Sequence, residues 1–172
     1  MEFTKTISTI FHSHINSSLL VTKVNNNPLL RNVECFDSFV LSSKLSHIWN
    51  DIFPLYGWMS WTKGSYIHKT KKIIVEVHNT WNTFCAQDKT QKLQMLRDSK
   101  RENYNYEVVF GAIVDKNPRD YYSDGNVRII TGDPFLEFML GEKAKEIHAL
   151  LDNLMQQFYK EELVPWLRTL YA

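Results

Sequence analysis

Glu76 and His78 stand two residues apart in Lys71-Lys72-Ile73-Ile74-Val75-Glu76-Val77-His78-Asn79-Thr80. Side chains alternate across an extended strand, so the two leave by one face, about 7 Å apart along the chain. Ile73, Ile74, Val75 and Val77 are β-branched and predict a central strand, buried on one face or both. A carboxylate within such a run is costly to bury unless a cation or hydrogen-bond donors receive it. The pair therefore reads in one of two ways: as a two-residue site at a strand end, or as charged groups that are solvated or paired there.

The neighbouring segments must hold that pair. Residues 64–68 predict a second strand and 69–72 a tight polar turn. Residues 87–103 predict a helix, and 106–114 another strongly β-rich run. Gly111, inside that run, is small enough to let a helix come close. Between strand and helix lie Asn79, Thr80, Asn82 and Thr83, whose amides and hydroxyls suit phosphate oxygens or base edges. They suit helix capping and turn closure equally well. Lys89, Lys92 and Lys100 fall near one helix face, either a phosphate-facing stripe or a solvated one.

This order of hairpin, helix and strand, with the words IIVEVHNTWNT and VRIITGDPFLEFMLG, resembles the PD-(D/E)XK nuclease superfamily, most closely its type II restriction endonucleases. The resemblance covers roughly residues 55–140. In that family one strand begins with an aspartate and the next carries Glu-x-Lys. The two carboxylates hold Mg²⁺, and the lysine handles the attacking water. Here His78 stands at the lysine position and Ser65 and Tyr66 at the aspartate position, with no acid between Asp51 and Glu76.

The resemblance implies an α/β (α+β) fold: a restriction-endonuclease-like core of a mixed, roughly five-stranded sheet flanked by helices, two N-terminal and two or three C-terminal. It implies Mg²⁺-assisted hydrolysis of DNA phosphodiesters. Glu76 would be the metal ligand, and His78 would orient or deprotonate the water, since imidazoles titrate near 6.5. If His78 binds the metal instead, Mn²⁺ is favoured over Mg²⁺. The second carboxylate would come from Asp51, Glu34 or Asp88, with Asp51 named as the ligand. Asn79, Thr80, Asn82, Thr83, Lys89 and Lys92 would contact double-stranded DNA, and a homodimer would read a near-palindromic site. Two other readings stay open. One is a non-cleaving DNA-binding or partner subunit of the same fold; the other is an unrelated small α/β enzyme. Gly-rich phosphate loops, Gly-x-Ser-x-Gly and His-Glu-x-x-His do not occur.

Composition bounds the class. Its 44% apolar and 23% charged residues are those of an ordinary globular protein, and 172 residues suit one domain. Within that domain, residues 1–54 form N-terminal helices, 55–130 the sheet core and 131–172 C-terminal helices. Twenty basic against nineteen acidic residues do not advertise nucleic-acid binding, although a local stripe of cations works on a neutral protein. Cys35 and Cys85 lack metal-ligand spacing, which points to a reducing cytoplasm. Neither a signal peptide nor a run of about 20 apolar residues is present, so no membrane role is expected.

The flanks are helical by periodicity. Ile7, Ile10, Phe11, Ile15 and Leu19 predict a helix over residues 4–24, with His12 and His14 as surface or interface residues rather than ligands. A second helix spans 32–53 and ends at Pro54; 55–61 is a strand or loop in which Trp58 and Trp61 stack on bases or sugars, or serve as core or dimer contacts. Residues 115–125 read as a recognition loop with Arg119, Tyr121 and Tyr122 as candidates. A short strand at 126–130, a helix opened by Pro134, a long helix over 142–162 and a short final helix complete the chain. The long helix carries more apolar surface than one sheet face needs, and a dimer interface is one outlet for it.

Overall fold

A computed structural model describes residues 2–20, 40–62, 64–81, 91, 93–98, 102, 105–123 and 126–170. The chain divides into two compact units, Met1–Ile52 with Glu146–Ala172, and Phe53–Lys145.

The helical unit opens with α1 (Glu2–His14), which buries Ile7 and Phe11. The helix expected over 4–24 is interrupted at Asn16. Its side-chain amide donates to the His12 carbonyl (3.1 Å), and its carbonyl oxygen accepts from Ser18 Oγ (2.5 Å) and the Leu19 N–H (3.3 Å). Asparagine thereby closes one helix and caps the helical residues from 17 onward, a competition with the backbone that apolar periodicity does not register; residues 21–24 of the expected helix lie outside the described ones. Helix α2 (Ser42–Ile52) buries Ile48, Trp49 and Ile52, and a 3₁₀ turn with Pro54 follows it. Residues 32–39 of the expected second helix lie outside the described ones.

The other unit is a six-stranded mixed sheet in the order β1-β2-β3-β4-β6-β5. Its strands are β1 (Met59–Thr62), β2 (Ser65–His68), β3 (Ile73–Thr80), β4 (Glu107–Val114), β5 (Asp120–Ser123) and β6 (Val127–Thr131). The β1/β2, β2/β3 and β5/β6 pairs are antiparallel, while β3/β4 and β4/β6 are parallel. Helix α3 (Asp133–Leu140) follows, burying Phe135, Leu136, Met139 and Leu140. It seats Phe135 against Gly111, as the small residue in β4 predicted: a methyl group there would overlap the ring. On the opposite face Leu93 and Leu96, in the helical stretch 93–98, pack against Ile74, Val108, Phe110, Val127 and Ile129.

The sixth strand corrects the expectation of roughly five, because β5 forms inside the segment read as a loop. Its tyrosines lack hydrophobic alternation, with Tyr121 and Tyr122 both exposed, so period gives no signal. Side-chain pairing holds the strand instead. Arg128 grips Asp120 with two bonds of 2.9 Å, and the Tyr122 hydroxyl donates to Glu107 at 3.2 Å. The guanidinium beside Asp120 holds its carboxyl below the ordinary 3.8. A group depressed in the fold contributes stability above its unfolded pKa and loses it as pH falls through the folded value. The melting temperature should therefore drop as pH is lowered below about 3.8, and Asp120→Asn should flatten that drop; identical acid profiles for the two proteins would refute the pairing's role.

Helix α4 (Ala144–Phe158) buries Ile147, Leu151, Leu154 and Phe158. It passes through a π turn, Tyr159–Leu163, into α5 (Val164–Thr169), the expected short final helix. Among the described residues, no helix is long and apolar enough to cross a membrane.

Candidate functional site

The turn at residues 69–72 fixes what faces Glu76. Register places Ser65 opposite Glu76 across β2/β3, and Phe110 opposite it across β3/β4. Glu76 lies on the face of Ile74, extending the apolar row toward the strand end, and is only 6% exposed. Ser65, equally buried, donates its hydroxyl to Glu76 Oε2. His78, the next residue on that face, brings Nε2 to 3.2 Å from Oε1. Its ring stacks on Phe110, with centroids 5.0 Å apart and planes 21° from parallel. The sequence thus brings Glu76 and His78 together as expected, with the Ser65 hydroxyl donating to the buried acid.

Beyond them Asn79 and Thr80 are half-buried at the end of β3. Trp81 continues its line by donating to the Val114 carbonyl at 2.9 Å and meets Phe110 edge-on. The Arg119 guanidinium lies 4.6 Å over the Trp81 ring and pairs with Asp115. Asp115 also accepts from Thr131 Oγ1 at 2.7 Å and from the Asn117 N–H at 3.0 Å. Burial alone would push the Asp115 carboxyl up; the Asn117 N–H, the Thr131 hydroxyl and Arg119 outweigh it and hold it below its ordinary value. These groups gather where parallel β3, β4 and β6 end, the edge at which open α/β sheets bind ligands.

Other expected site residues lie elsewhere. Asp51 belongs to the helical unit, where its carboxylate meets His14 Nε2 at 2.6 Å, and His14 stacks on His47. Asn82, Thr83, Lys89 and Lys92, with Glu34 and Asp88, lie outside the described residues. Trp58 is core, donating its indole N–H to the Met139 carbonyl at 2.7 Å, whereas Trp61 is 44% exposed. Phe110, Asp115 and Thr131 carry no signal in composition or motif, and Ser65 none beyond its place at the aspartate position of the resemblance. Counting outward from the four-residue turn finds Ser65; the others require the parallel register.

Mg²⁺ takes octahedral oxygen coordination, usually with one or two carboxylates. Here one Glu76 oxygen accepts from Ser65 and the other faces His78. A hydroxyl, not a carboxylate, stands across the ladder from Glu76, and no group of three or more His, Cys, Asp or Glu among the described residues could hold a metal ion. These donors do not fit a two-carboxylate metal centre. No family model matches the chain, and neither a curated protein nor a solved structure matches it.

Proposed function

We propose that the chain is a restriction-endonuclease-like DNA-binding protein whose metal-holding pair is reduced to one carboxylate. The observation that carries this reading is the Ser65–Glu76 pair: a hydroxyl, not an acid, faces Glu76 across the β2/β3 ladder. The strand order β2-β3-β4, with an antiparallel hairpin followed by a parallel crossover, fits the same fold. Binding falls to Asn79, Thr80, Asn82, Thr83, Lys89 and Lys92, with two copies facing a near-palindromic duplex.

A second reading, a type II restriction-like endonuclease using Mg²⁺ or Mn²⁺, draws on the burial of Glu76 beside an imidazole. An acid kept from solvent in a sheet is expensive unless donors or a cation receive it, and a bound cation would add to what Ser65 and His78 supply.

The test is an electrophoretic assay with plasmid and duplex DNA in either metal. The unmodified chain is expected to retard duplex DNA and leave it intact. Ser65→Asp with His78→Lys, which rebuilds the acid pair and the lysine, is expected to add nicking. Cleavage by the unmodified chain that Glu76→Ala abolishes would sink the binding-only reading in favour of the second. Failure to retard any duplex sinks both.

A further inference from the structure

We infer that the groove running from the end of α4 through the π turn to α5 is a second nucleic-acid contact, taking backbone phosphates on Lys160 and Arg168; this rests on the DNA-binding reading above. The groove has a volume of about 650 Å³ and is lined by Gln156, Tyr159, Lys160, Val164, Pro165 and Arg168. Gln156, Lys160, Val164 and Arg168 stand four residues apart, and all four line the groove. The π turn Tyr159–Leu163 interrupts the regular helix at that point, a departure that recurs at functional sites.

Charge selects the occupant. Lys160 and Arg168 are exposed, and among the described residues no carboxylate pairs with either. Among the described residues no acid lines the groove: Glu161 and Glu162 follow Lys160 in sequence but stand outside it, and Glu162 accepts from Ser17 Oγ at 2.7 Å. Two uncompensated cations eight residues apart span about 12 Å of helix. Over that length a nucleic-acid strand, with one charge per roughly 3.4 Å of axis, presents several phosphates. Val164, Pro165 and the Tyr159 ring give the sugar edge an apolar wall.

The measurement is the slope of log K against log salt for a 20-base-pair duplex bound to the full chain. Each phosphate contact contributes about 0.9 to that slope, so Lys160→Ala with Arg168→Ala should make it shallower by about 1.8. The paired control Lys5→Ala with Lys145→Ala removes the same charge outside the groove and should leave the slope unchanged. Equal slopes for the groove variant and the unmodified chain would overturn this contact alone. No duplex binding by the unmodified chain overturns it together with the reading it rests on. Binding of poly-glutamate but not DNA, lost in the groove variant, reassigns the groove to an acidic protein and likewise overturns the phosphate contact.

Discussion

Gly111→Ala is expected to destabilise the protein by about 2–3 kcal/mol or more, the upper range for adding a methylene-sized group to a packed core. Gly111 sits in β4, which is paired in parallel on both sides, to β3 and to β6. Moving its backbone away from α3 would disturb two ladders at once. The obstacle is also fixed: Phe135 is fully buried, and α3 is tied down where the Gly132 N–H donates to the Ala112 carbonyl at 2.9 Å. Denaturant unfolding measures the loss. Phe135→Leu should cost stability by itself yet cost far less in the alanine background, because the smaller side chain yields the contested volume. A fully stable Gly111→Ala would show that α3 does not rest on β4 at this point.

His78→Leu carries the second large effect, a loss of roughly 1–3 kcal/mol. Both side chains are well buried, so solvent does little to screen their contact. Taking the imidazole away strips a partner from Oε1 while Ser65 still serves Oε2. Breaking a buried pair costs more than replacing it whole, because the survivor keeps its desolvation penalty. Glu76→Leu in the His78→Leu background should therefore restore most of the loss, giving a coupling energy well beyond additivity. Additive unfolding energies for the two changes would show that carboxylate and imidazole do not depend on one another.

Much of this arrangement was readable in the residues themselves. The β-branched run at 73–77 gave β3, the polar turn at 69–72 gave the hairpin, and Gly111 gave the close approach of a helix, since each signal is local. The periodicity of α4 survived because its buried positions recur at three and four. What failed to show depends on pairing across distance. β5 is held by Arg128 reaching to Asp120 and by Tyr122 reaching to Glu107, and such edge contacts leave no pattern in their own segment. Asn16 broke a helix by hydrogen bonding, which apolar spacing does not count.

The site was half legible for the same reason. Alternation put Glu76 and His78 on one face, but the choice of Asp51 as companion acid rested on scarcity of alternatives rather than on geometry. Asp51 meets His14, and the residue facing Glu76 is a serine eleven positions earlier in the chain.

The parallel crossover between β3 and β4 also divides the history of the site. Ser65 and Glu76 meet through a short hairpin, a contact of low entropic cost, whereas Phe110 lies far along the chain from His78 and meets it only through the parallel pairing of β3 with β4. Contact separation alone therefore orders the two: the hydroxyl donor is expected to reach the acid ahead of the aromatic floor reaching the imidazole, an order that folding kinetics of Ser65→Ala and Phe110→Leu would read.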